Sequence, residues 1–160
     1  AIEFNENSID TAELAEHRNF LTKAFLDQIK LYIEDGKLDK AGKLISKMEV
    51  QLKKISDSEN QPLLLSMKYF LNAEKDTSIT NQLDSIIETI EKTDNLGNEF
   101  VYWYLARAYR KIDDKGNAEL FHNKAKEMID SLAKNISNKD DRKYYHDIYF
   151  HKRKIGRAHV

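Results

Sequence analysis

Three tyrosines restrict this chain more than any other feature. Tyr32, Tyr69 and Tyr109 stand 37 and 40 residues apart, each in a segment whose apolar residues recur at helical spacing. Leu105-Ala106 precedes Tyr109, and Leu65-Ser66 precedes Tyr69 at the same interval. Tyr32 sits in the matching place before Asp35-Gly36. Self-similarity with a period of about 20–50 residues marks a chain built from stacked units, each too small to bury its own apolar face.

The spacing predicts helix almost throughout. A first helix covers about 10–34, with Asp10 and Glu13 as a capping box and Leu14, Leu21, Phe25, Ile29 and Ile33 along one face. Gly36 ends it, since glycine adopts the left-handed cap at little cost. Leu38, Ala41, Leu44, Ile45, Met48 and Leu52 form a second stripe, followed by a polar break at 56–61. Pro62 suits the first turn of a third helix running to about Lys75. Thr77 or Ser78 can cap a fourth, carrying Leu83, Ile86, Ile87 and Ile90. After a turn at 94–98, a fifth spans about 99–112 and a sixth about 115–134. Ser137 is the expected cap of a last helix over about 138–155. Five glycines and one proline leave too little turn chemistry for a many-stranded β fold.

The second member of each helix pair carries its own mark. Ala41 and Met48, Leu83 and Ile90, and Ala118 and Ala125 are each seven residues apart, so each pair shares one helix face. Small residues such as Ala106 and Ala118 let two antiparallel helices approach closely. In this respect the chain resembles the tetratricopeptide repeat (TPR) family. Tyr102, Leu105, Ala106, Tyr109, Ala118 and Ala125 match that family's spacing, and Gly36, Leu38 and Ala41 resemble its inter-helix turn. The resemblance covers about residues 22–134. It departs from the pattern at Ile29, where a small residue is usual, and at His122, where a large apolar one is, with Phe121 one place early. About five extra residues stand around 74–80, and the family's proline after each unit is absent. The resemblance implies an all-α fold over 1–160: a right-handed α-solenoid of three helical hairpins (about 22–55, 60–93 and 99–134) plus a C-terminal capping helix.

Chemistry of an enzymatic kind is not visible. Cysteine is absent, and there is no nucleophile elbow, no phosphate-binding glycine loop and no H-E-x-x-H. His146 and His151, five apart, are poorly spaced for two ligands on one helix face. Asp113-Asp114 and Asp140-Asp141 fall at turns or helix starts, where carboxylates cap and complement the dipole. No catalytic residue, metal ligand or cofactor is therefore expected. The 26 basic and 27 acidic residues balance to −1, which argues against a general polyanion binder. The longest apolar runs are only a few residues, so no membrane span is expected, and the expected location is the cytoplasm.

In stacked hairpins the first helix of each pair usually lines the concave wall. That places Trp103, Arg107 and Arg110, then Leu63, Met67 and Phe70, then Leu26, Lys30 and Ile33 on one strip, apolar with a basic end. Two readings of it stand open. One is a groove for a partner segment of apolar and acidic character, since Trp and Arg commonly anchor interfaces. The other is core between helices, with Trp103 packed inside the molecule. The C-terminal stretch mixes Arg142, Lys143, Lys152, Arg153 and Lys154 with Tyr144, Tyr145, Tyr149 and Phe150. Such a mixture can bind nucleic acid, but the near-neutral chain favours a capping helix with Tyr145, Ile148 and Tyr149 buried on the last repeat. It resembles the helix that closes repeat regions in some multidomain bacterial regulators. The expected function is a non-catalytic protein- or peptide-binding module of a larger regulatory or assembly protein. Self-association as a homodimer is the first alternative, and nucleic-acid binding through the basic C-terminal helix the second.

Overall fold

The computed structural model describes residues 18–55, 59–73, 86–88, 90 and 98–149. Its regular elements are six helices: α1 (Arg18–Glu34), α2 (Leu38–Ile55), α3 (Gln61–Asn72), α4 (Asn98–Lys111), α5 (Lys115–Lys134) and α6 (Lys139–Tyr149). Residues 86–88 and 90 are also helical, with Ile86 and Ile90 buried. No strand occurs among the described residues. Each helix packs on its neighbour in the chain, from α1 on α2 through to α5 on α6, and the α4–α5 contact is the most extensive.

The helices fall into two kinds by burial. In α2 the buried residues Ala41, Ile45, Met48 and Leu52 make a single stripe, as do Ala118, Phe121, Ala125, Ile129 and Ala133 in α5. Both outer faces are charged, so these helices are covered on one side. In α1, α3 and α4 burial goes round more of the helix. Ala24, Phe25, Leu26, Gln28 and Ile29 are all buried in α1, Leu64, Ser66, Met67, Tyr69 and Phe70 in α3, and Tyr104, Leu105, Ala106, Ala108 and Tyr109 in α4. These helices therefore have neighbours on more than one side. The buried Ser66 hydroxyl is satisfied locally, donating to the Leu63 carbonyl at 2.8 Å.

Rings link the layers. Tyr69 of α3 meets Tyr109 of α4 edge-on at 5.9 Å, Tyr109 stacks on Phe121 of α5 at 5.5 Å, and Phe121 stacks on Tyr102 at 6.1 Å. Offset and edge-on pairs of this kind contribute about 0.5–1.5 kcal/mol each beyond their buried area. Phe121 thus fills the space between helices, and His122 beside it is left only half-buried against Trp103.

Two turns, α1–α2 and α4–α5, are built alike. In each, a residue of positive φ follows the first helix: Gly36 at +72° and Asp113 at +58°. The next N–H, of Lys37 or Asp114, donates back to the carbonyl five residues earlier, which belongs to Tyr32 or Tyr109. This is the Schellman arrangement, which satisfies carbonyls that a helix end would otherwise leave open. Asp114 then starts α5: its carboxylate accepts from the Asn117 backbone N–H at 3.0 Å and from Asn117 Nδ2 at 2.8 Å. Those bonds hold the Asp114 carboxyl below its ordinary pKa.

Some details differ from expectation. α3 ends at Asn72 rather than near Lys75. The cap of α6 is Asn138, not Ser137: Asn138 Oδ1 accepts from the Asp140 N–H, and its backbone carbonyl accepts from Arg142. Ser137 stands one residue too early to reach those donors. Tyr145 is half-buried and Tyr144 exposed, and α6 packs on α5. The expected capping box at Asp10 and Glu13, the caps at Thr77 or Ser78, and Lys152, Arg153 and Lys154 lie outside the described residues.

Candidate functional site

The nine-residue strip divides when its burial is known. Leu26, Ile33, Met67 and Phe70 are at most 7% exposed and belong to the core. As lining of an open wall, these four are corrected. Leu63 is half-buried and packs against the same core, while Lys30, Trp103 and Arg107 are half-buried and Arg110 is exposed. The reason lies in the approach of α1 to α4. Arg107 Nη1 donates to Oε1 of Glu34 at 2.9 Å, and Lys30 Nζ lies 4.2 Å from the centre of the Phe100 ring. With α1 and α4 joined at these two points, Arg107 also lies over the Phe70 ring of the strip.

Arg107 is the hub of this arrangement. Its guanidinium carbon lies 4.3 Å from the ring centre of Phe70 on α3, 5.6 Å from that of Tyr104 and 6.0 Å from that of Trp103. Lys111, one turn on, places Nζ 4.5 Å from the same Phe70 ring. Rings attract cations through their negative faces, and the effect strengthens as water is excluded. Burial lowers the Arg107 pKa, and the neighbouring Tyr104 partly offsets this. Burial in turn raises the Tyr104 phenol well above its ordinary value, with Arg107 opposing. At neutral pH the pair is a cation beside a neutral phenol, because a guanidinium stays protonated in proteins.

Glu34, Phe100 and Lys111 are missing from the sequence-derived strip. A signal for two of them exists. Extending the Trp103–Arg107 stripe by about one helical turn in each direction reaches Phe100 and Lys111. Glu34 has no such signal, because its role depends on where the end of α1 meets α4.

What remains accessible is a ridge: Trp103, Arg107, Arg110 and Lys111 along α4, with Lys30 and Glu34 of α1 beside it. Lys30 is also paired with Asp27 at 2.7 Å within its own helix. The ridge offers cations on an aromatic bed, suited to holding carboxylates. On α6, half-buried Arg142 is engaged locally, its Nε and Nη2 donating to the Ile136 carbonyl at 3.1 and 2.6 Å. Among the described residues no group of three or more His, Cys, Asp or Glu side chains could hold a metal ion. No described helix is long and apolar enough to cross a membrane. Comparison with protein-family models, curated proteins and solved structures finds no match to this chain.

Proposed function

We propose that the chain is a right-handed stack of three TPR-like helix pairs with a closing helix, serving as a non-catalytic scaffold that binds a segment of another protein. The like-built turns at Gly36 and Asp113 support the repeat. So does the contrast between α2 and α5, buried on one stripe, and α1, α3 and α4, buried on several sides. The partner surface is the α4 ridge of Trp103, Arg107, Arg110 and Lys111, with Lys30 at its margin. Its partner carries apolar and acidic side chains together.

One observation carries this reading: Arg107 is a cation held on three rings, yet its side chain keeps 23% of its surface open. Holding the guanidinium in place lowers the entropy lost when it binds an anion, and Trp103 beside it supplies apolar area. The test is selection from a displayed random peptide library. Wild-type protein is expected to enrich peptides that Trp103→Ala and Arg107→Glu fail to hold, with helical circular dichroism unchanged in both. Equal binding of the same peptides by both variants would overturn the reading.

A further inference from the structure

We infer that Glu34 is an internal stand-in for the partner's carboxylate, so that an acidic peptide binds by displacing Glu34 from Arg107. The inference rests on the peptide-binding reading above and names what gates that site.

The contact between the two residues is a single point, Nη1 to Oε1 at 2.9 Å. Arg107 Nε and Nη2 make no other hydrogen bond among the described residues. Arginine and a carboxylate reach their strongest pairing through two parallel bonds, so this contact uses half of what the guanidinium offers. Both side chains are partly open to water, at 23% for Arg107 and 30% for Glu34. Exchange therefore begins with the Glu34 side chain turning off Arg107. Rings hold Arg107 in place from below, so it stays put when Glu34 leaves. Arg110 and Lys111 follow on the same helix, and their charge favours an incoming acid over a neutral segment.

The exchange swaps one carboxylate for another on the same cation. It succeeds where the newcomer makes two bonds and brings an apolar neighbour onto Trp103. While Glu34 occupies Arg107 the binding-competent fraction is reduced, and apparent affinity falls in proportion. Removing the Glu34 charge is therefore expected to tighten binding, the opposite of what loss of a structural brace would do.

The experiment is fluorescence anisotropy with a labelled peptide of alternating glutamate and leucine, and its glutamine–leucine counterpart as control. Glu34→Gln is expected to bind the acidic peptide roughly two- to sixfold more tightly than wild type. Arg107→Lys, which keeps the charge but not the fork, is expected to lose about tenfold or more and to abolish the gain from Glu34→Gln in the double variant. If Glu34→Gln leaves affinity unchanged or lowers it while Trp103→Ala still removes binding, Glu34 is only a brace: the gate is overturned and the scaffold reading stands. Preference for the glutamine–leucine peptide has the same consequence. If oligothymidylate binds Glu34→Gln more tightly than the acidic peptide does, the ridge takes phosphates and the inference fails. Binding of neither peptide by any of these proteins overturns the gate and the scaffold reading together.

Discussion

The backbone carbonyls of Tyr32 and Tyr109 accept equivalent hydrogen bonds, from the Lys37 N–H at 2.9 Å and the Asp114 N–H at 3.0 Å. Nine residues beyond each tyrosine stands an alanine whose N–H donates to the carbonyl of the residue just before the following helix: Ala41 to Lys37 at 3.1 Å, Ala118 to Asp114 at 3.0 Å. The same ten-residue turn thus occurs twice, with glycine at the left-handed position once and aspartate once.

Substitutions at that position should differ in sign. Gly36→Ala is expected to cost about 1 kcal/mol, from backbone strain alone, because no atom lies within 4 Å of an added Cβ. Asp113→Gly should stabilise by about 0.5–1 kcal/mol, since its contact with Lys115, at 3.9 Å between exposed side chains, offers little to lose. Urea denaturation checks both, with midpoints moving in opposite directions at constant slope.

Arg107 and Glu34 should contribute to stability unequally. Arg107→Ala removes the cation and the stem that cover Phe70, and about 1–2 kcal/mol of stability is expected to go with them. Glu34→Ala is expected to cost less than about 1 kcal/mol, as for other partly exposed ion pairs. A double-mutant cycle should give a coupling of about 0.2–1 kcal/mol that shrinks as salt is raised.

In the core, Leu105 is fully buried where α4 meets its neighbours. Leu105→Ala should destabilise by about 2–5 kcal/mol, the sum of lost transfer energy and a residual cavity. Thermal unfolding followed by circular dichroism measures this. A cost below about 1 kcal/mol would mean that α4 is not central to the packing.

The cap of α5 should make stability depend on pH. Asp114 has a lowered pKa in the folded chain, through the Asn117 backbone and side-chain bonds. Its contribution is therefore complete above the ordinary carboxylate value, near about pH 4, and is lost as pH falls through the lower folded value. Asp114→Asn keeps a good capping side chain without the titration. The melting temperature of that variant should change less than the wild type's below about pH 4, while the two stay close at neutral pH.

Much of the helical layout was legible in the chain. α5 has the expected bounds, Lys115–Lys134, because Asp114 announces its start and an unbroken stripe at helical spacing carries it through. The turn at Gly36 was equally plain. Asp113 was harder to read, since aspartate enters the left-handed region less readily than glycine and its neighbour Asp114 is the better cap. At the ridge, Trp103, Arg107 and Arg110 could be placed on one face by spacing alone. That Phe70 would be sealed beneath Arg107 and Lys111 could not, because periodicity tells which residues share a face and not how near the next helix comes.

The order of the chain by itself determined most of the helices, their turns and which residues share a face, because those follow from hydrogen bonds and side-chain spacing within a few residues. The meeting of Glu34 with Arg107, 73 positions apart, was decided only by tertiary packing. Long side chains bridge whichever helices lie within their reach, and that distance is set by how the whole stack of small and aromatic residues closes.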